Sequence, residues 1–130
     1  MNCEMEKAQS IYIAGAHSRA RTLKAYLNFL YPDIKVKAFL VDDLSENPEE
    51  ADGLPVCLIR EGLDVSCPVY LGTRGVNHPK LTDELKVAGF TQIIPVTVEL
   101  DTKLRNEYMR KFYHENGKTF LLIDEVFVKG

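Results

Sequence analysis

The residues with the clearest chemical potential stand at a glycine turn near the start of the chain. Gly15-Ala16-His17-Ser18-Arg19-Ala20 follows a short apolar run and precedes a helical pattern. In dinucleotide-binding proteins such a turn reads G-x-G-x-x-G: the first glycine makes the bend, the second admits a pyrophosphate and the third lets helix and strand pack closely. Here Ala20 takes the third position and His17 takes the second, where an imidazole would fill space that the pyrophosphate needs. The sequence therefore argues against ordinary NAD binding.

A helix that begins beside Ser18 and Arg19 still offers backbone N–H groups and a partial positive charge to an anion. The turn thus predicts an anion site of the phosphate type. A strand-to-helix turn that binds nothing remains the alternative.

Two further groups of candidate residues follow strand-like runs. Asp42 and Asp43 end the second apolar run, where related folds place the acidic residue that binds ribose hydroxyls. The interval from Gly15 exceeds the roughly 20 residues of the fingerprint, so the pair also fits the start of a solvated acidic loop. Thr73 and Arg74 follow another apolar run, at the edge where open α/β sheets bind ligands. Arg74 could meet a phosphate there or face solvent.

Metal and nucleophile motifs are missing from the sequence. The three histidines show no H-x-x-x-H spacing, and no G-x-S-x-G elbow occurs. The three cysteines form no C-x-x-C pair, which favours reduced thiols. We therefore predict no catalytic residue and no metal ligand.

Alternating strand and helix patterns must position these candidates. Strands are predicted at 11–16, 36–41, 53–56, 68–73 and 90–96, helices at 18–31 and from Asn77, as N-cap, to Gly89, with a brief helix at 58–63. This alternation predicts an α/β fold: a three-layer Rossmann-like open sheet, mainly parallel, with strand order 3-2-1-4-5 and helices on both faces.

The C-terminal part has a different pattern. Residues 102–115 are strongly helical, and the β-prone run 120–128 follows them. We accordingly divide the chain into a Rossmann-like domain at 9–98 and a helix and strand at 99–130. Because an apolar strand must pair with something, the run 120–128 would join its own sheet edge, another chain or another domain.

Length and composition limit the possible partners. The 130 residues suit one compact domain, and their formal net charge of -3 gives no general attraction for nucleic acid or anionic membranes. No run reaches the roughly 18 apolar residues of a membrane helix, and the N-terminus does not have the order of a signal peptide. A cytoplasmic protein without membrane insertion is expected.

Four segments, taken in order, resemble one family. IYIAGA at 11–16, KAFLVDD at 37–43, DGLPV at 52–56 and AGFTQIIP at 88–95 are similar to the N-terminal Rossmann-like domain of bacterial cell-surface polysaccharide proteins, which precedes glycosyltransferases and sugar acyltransferases. That family usually has G-A-G-x-x-G at the turn, from which His17 and Ala20 depart.

The resemblance implies a noncatalytic domain that binds a nucleotide or nucleotide-sugar and is followed by a transferase domain, with residues 104–123 leading into it. The expected ligand-binding residues are Gly15, Ala16, His17, Ser18, Arg19, Asp42, Asp43, Thr73 and Arg74.

Two other functions fit parts of the sequence. The first is an interaction or dimerisation module with a degenerate ligand site, in which the aromatic helix at 108–113 and the terminal strand form a homodimer or dock a partner. The second is an NAD-dependent enzyme of the short epimerase kind, which needs a Tyr-x-x-x-Lys pair downstream of the turn. The epimerase is the least favoured.

Overall fold

The computed structural model describes residues 9–45, 47–60 and 62–115, which form a six-stranded sheet and three α-helices. The elements in chain order are β1 (Gln9–Ala14), α1 (Ser18–Leu30), β2 (Ile34–Val41), β3 (Glu50–Ala51), β4 (Leu54–Leu58), β5 (Val69–Leu71), α2 (His78–Ala88), β6 (Ile93–Pro95) and α3 (Val98–Glu115). A 3-10 turn at Gly75–Asn77 leads directly into α2.

The sheet has the order β3-β4-β2-β1-β5-β6. All neighbouring pairs are parallel except β3 and β4, which are antiparallel. The protein is therefore an α/β protein with a mostly parallel sheet, which is compatible with a Rossmann-like fold.

The predicted five-strand order 3-2-1-4-5 is wrong as stated, because it omits the edge strand β3. That strand contains only two residues, Glu50–Ala51, and lies in the acidic stretch that begins at Asp42 and Asp43. Asp52 and Gly53, with φ of 51° and 80°, join β3 to β4 as a two-residue hairpin turn. An Asp-Gly pair is a strong hairpin signal, so the sequence did contain a sign of this strand.

Helices cover both faces of the sheet. Ile11 and Ile13 of β1 pack with α1 and with Leu104 of α3, whereas Tyr12 and Ala14 pack with α2 on the opposite face. This division follows from the alternation of side chains along a strand. The sheet thus forms the middle of three layers.

Two predicted local features differ in the structure. The brief helix at 58–63 is absent: Leu58 ends β4, and the described residues after it form bends and turns, with Gly62 at a φ of 99° that no α-helix contains. Asn77 precedes α2 but makes no capping hydrogen bond through its side chain. Its backbone is already helical, whereas a capping residue is normally extended. The predicted end of α2 at Gly89 is confirmed, with a left-handed φ of 111°.

The last helix begins earlier than the predicted Thr102. The N–H of Leu100 donates to the Thr97 hydroxyl at 3.1 Å, which satisfies a free donor at the start of α3. Tyr108 of α3 contacts the rings of Tyr26 and Phe29 on α1. The helical part of the segment 99–130 therefore packs on α1, while the predicted strand at 120–128 lies outside the described residues.

No helix in the described part of the chain is both long and apolar enough to cross a membrane.

Candidate functional site

A cleft of about 570 Å³ lies at the carboxyl ends of β1, β2 and β5. It is lined by all nine of the predicted ligand-binding residues, which are Gly15, Ala16, His17, Ser18, Arg19, Asp42, Asp43, Thr73 and Arg74. Asn47, Gly72, Asn77, Lys80 and the apolar Leu40, Val41 and Leu81 complete the lining. Residues from three separate segments of the chain therefore meet at one place.

The strand order explains why a cleft forms here. β1 is the central strand between β2 and β5. α1 leaves β1 toward one face of the sheet, and α2 follows β5 on the other face. Where neighbouring connections diverge in this way, an open α/β sheet leaves a crevice at its carboxyl edge, and such crevices bind ligands.

Gly15 closes the bottom of this crevice. Its N–H donates to the Leu40 carbonyl at 2.7 Å, and its φ is 109°. A Cβ at this position would stand 2.7 Å from Cγ2 of Thr73. The backbone can turn here only with a glycine, as the sequence predicted for the first position of the motif.

Gly72 allows the close approach of α1 to β5. A Cβ on Gly72 would lie 3.0 Å from Cα of Ala20 and 2.9 Å from Cγ2 of Ile13. The third motif position, Ala20, therefore packs on a glycine contributed by another strand. Sequence reasoning assigned the close packing to Ala20 alone and missed Gly72.

The first turn of α1 and its N-cap present polar side chains to the cleft, and this turn contains no carboxylate. His17 occupies the N-cap position but makes no capping hydrogen bond through its side chain, and the first turn contains no acidic residue. His17, Ser18 and Arg19 are all exposed. The positive end of the helix dipole therefore meets the cleft with nothing on its own first turn to neutralise it.

The two aspartates after β2 have different surroundings. Oδ2 of Asp42 lies 3.1 Å from Nζ of Lys80 on α2, and this hydrogen-bonded contact raises the pKa of Lys80. Oδ1 of Asp43 instead accepts a hydrogen bond from the N–H of Ser45 at 2.8 Å, which lowers the pKa of Asp43. Asp43 thus holds its own loop in place, and Asp42 is the carboxylate better placed for a ligand.

Asn47 and Lys80 are cleft residues that the sequence did not predict. Asn47 donates from Nδ2 to the Asp43 carbonyl at 2.6 Å and so fixes the loop beside the cleft. Lys80 stands on the first turn of α2, and only the pairing of β1 with both β2 and β5 brings it to Asp42. No local motif in the sequence marks either residue.

Two guanidinium groups in the cleft have no acidic partner among the residues that the structure describes. Arg19 and Arg74 are exposed and form no ion pair there. Arg21, by contrast, contacts Asp52 at 3.0 Å. The cleft consequently has two unpaired guanidinium groups, Arg19 and Arg74, after β1 and β5, whereas after β2 it has Asp43 and the ion pair of Asp42 with Lys80.

The described residues contain no metal-binding cluster, and the Tyr-x-x-x-Lys spacing of an epimerase lies away from the cleft. No cluster of three or more His, Cys, Asp or Glu side chains suited to a metal occurs within 9–45, 47–60 and 62–115. The Tyr-x-x-x-Lys spacing that an epimerase needs occurs in the sequence at Tyr31 and Lys35. These residues lie at the end of α1 and the start of β2, at the opposite edge of the sheet from the cleft.

Comparison of the chain with protein-family models, with curated proteins and with solved structures finds no match.

Proposed function

We propose that the cleft binds a nucleotide or nucleotide-sugar and that this chain is a binding domain rather than a catalyst on its own. One observation carries the proposal: Arg19, Arg74 and the start of α1 offer positive charge on one side of a cleft whose other side carries Asp42. A nucleotide has an anionic phosphate and a sugar with hydroxyl groups, and the two sides of the cleft match these two parts.

The phosphate would lie at the start of α1. Backbone N–H groups at a helix N-terminus and guanidinium groups are the donors that phosphates use most often in proteins. A ribose or hexose would then lie toward Asp42, whose carboxylate accepts hydrogen bonds from neighbouring hydroxyls. Lys80, 3.1 Å from that carboxylate, orients it.

The setting that we propose follows from the sequence resemblance. The domain would precede a transferase of bacterial surface-polysaccharide synthesis and act in the cytoplasm, where nucleotide-sugars are made and used. Tyr108 of α3 contacts Tyr26 and Phe29 of α1, while Phe112 is 38% exposed, so a homodimer through this helix stays the alternative function.

Calorimetric titration of the chain with UDP-sugars, GDP-sugars, NAD and coenzyme A tests the proposal. We expect at least one of the sugar nucleotides to bind, and the double variant Arg19→Ala with Arg74→Ala to bind it at least about 100-fold more weakly, since each of the two lost charge-assisted hydrogen bonds costs about 1.5–3 kcal/mol. Arg60→Ala is the matched control, because Arg60 is exposed and does not line the cleft. No heat and no thermal shift with any compound would contradict the proposal.

His17 gives a second test, at a single side chain. If the imidazole obstructs a pyrophosphate, His17→Gly should tighten NAD binding. Equal NAD affinities of the variant and the parent chain would show that the imidazole is not the obstruction.

A further inference from the structure

A histidine that does not line the cleft holds the loop that carries Arg74. Nε2 of His78, the first residue of α2, lies 3.1 Å from the carbonyl oxygen of Thr73 in a part-buried contact. A carbonyl oxygen only accepts hydrogen bonds, so Nε2 carries the proton and donates it. His78 would therefore act on a ligand through the loop that it holds.

The loop depends on this side chain because its backbone supplies no donor for the same carbonyl. Thr73 lies between β5 and the 3-10 turn, outside every helix and strand. Within the described part of the chain, no backbone N–H donates to its oxygen. A carbonyl that is partly shielded from water needs a partner, and His78 provides one.

The peptide groups on both sides of Arg74 are thereby fixed. On the N-terminal side, His78 holds the Thr73 carbonyl; on the C-terminal side, the N–H of Asn77 donates to the Arg74 carbonyl at 2.9 Å. The Thr73 hydroxyl approaches that same carbonyl at 3.4 Å. Because peptide groups are planar, holding the two that flank a residue sets the direction in which its side chain leaves the backbone.

The same turn of α2 also holds Asp42. Nζ of Lys80, two residues after His78, lies 3.1 Å from Oδ2 of Asp42. Pro79 stands between them in the first turn of α2, where its ring fixes φ. One short, stiff stretch of backbone therefore contacts both the loop after β5 and the aspartate after β2.

We propose that His78 is a positioning residue for Arg74, whose guanidinium its hydrogen bond to Thr73 keeps in the cleft before a ligand arrives. This proposal rests on the function proposed for the cleft. A long side chain that is ordered in advance loses less conformational freedom on binding, and for one such side chain this corresponds to about two- to tenfold in affinity.

NMR relaxation of backbone ¹⁵N in the full chain without ligand tests the positioning. We expect the order parameters of residues 74–76 to fall from about 0.85 to about 0.6 in His78→Leu. His78→Gln should restore them, because its amide nitrogen also donates and stands at a comparable distance from the backbone. His114→Leu, at an exposed histidine near the end of α3, is the matched control and should change nothing in this loop. Unchanged order parameters in His78→Leu would overturn the proposal.

Calorimetric titration with UDP-glucose and GDP-mannose then separates positioning from a general effect on the fold. We expect His78→Leu to weaken the binding of a sugar nucleotide about three- to tenfold. In the Arg74→Ala background the same substitution should weaken it less than about 1.5-fold, because no guanidinium is left to position. Equal losses in both backgrounds would overturn the assignment of His78 to Arg74.

The two experiments distinguish this proposal from the function proposed for the cleft. If the loop loses order in His78→Leu but neither sugar nucleotide binds the parent chain, the holding of the loop by His78 is supported and the function of the cleft is contradicted. If a sugar nucleotide binds and His78→Leu changes neither its affinity nor the loop, the function of the cleft is supported and the role of His78 is overturned.

Discussion

Gly15 combines a left-handed backbone with a contact that leaves no room for a side chain. We expect Gly15→Ala to lower the free energy of unfolding by about 2–4 kcal/mol, since it adds a strained φ of 109° to an overlap with Cγ2 of Thr73. Urea denaturation measures the change. Gly53→Ala is the control, because Gly53 also has a positive φ but nothing within 4 Å of its would-be Cβ; it should lose only about 1 kcal/mol. Equal losses in the two variants would show that the contact has no effect.

Asp64 should make stability depend on pH in the acid range. The hydroxyl and N–H of Ser66 donate to its Oδ1, and these hydrogen bonds, the hydroxyl's first, lower the pKa of Asp64 to about 2. Because the folded-state pKa lies below the unfolded value near 3.9, the stabilisation is complete above about pH 4 and is lost as the pH falls toward about 2.

Acid titration of stability measures the effect of Asp64. The free energy of unfolding of Asp64→Asn should be lower at neutral pH and should change less between about pH 4 and 2. Ser66→Ala, which removes the hydroxyl donor, should shift the acid loss to higher pH. A parent chain and an Asp64→Asn variant with parallel pH profiles would contradict this account.

At the residue scale, the nine cleft residues could be predicted because each follows a strand-like run or begins a helix, and parallel strands end at a common edge. Gly72 and Lys80 could not. Their roles depend on contacts with Ala20 and with Asp42, and no spacing in the sequence encodes such pairings.

At the scale of elements, the long periodic segments were the predictable ones. The helical pattern at 18–31 corresponds to α1, and the apolar run at 36–41 lies within β2. The predicted helix at 58–63 failed because an apolar stretch this short has no resolvable period. The two residues of β3 acquire a strand conformation only by pairing with β4, so tertiary contact, rather than local propensity, determines them.

The packing of α3 on α1 should contribute strongly to stability. Leu104 is 4% exposed and lies in the same apolar cluster as Leu23 and Leu27 of α1. Leu104→Ala should therefore lower the free energy of unfolding by about 2–4 kcal/mol, measured by urea or thermal denaturation.

Val98→Ala provides the comparison on the same helix. Val98 is 80% exposed, so its truncation should change stability by no more than about 0.5 kcal/mol. If Leu104→Ala were equally mild, α3 would not share the core of the domain, and the boundary predicted at residue 98 would gain support.

At the scale of the whole molecule, the arrangement of charge matters more than its total. The chain has a formal net charge of -3, yet the cleft places Arg19 and Arg74 together with the positive end of α1. Local positive charge in an acidic protein favours small anionic ligands over polyanions. If binding depends on these groups, the affinity of a bound nucleotide should fall as sodium chloride is raised from about 50 to 500 mM, and less so in the double arginine variant.

An amide-resolved NMR titration with GDP tests the central claim most directly, because it reports where a nucleotide binds as well as whether it binds. We predict that the largest shifts fall on the backbone amides of residues 15–20, with further shifts at 42–43 and 73–74. Shifts confined to α3, or an unchanged spectrum at millimolar GDP and at millimolar UDP-sugar, would contradict the assignment of this cleft as a nucleotide site.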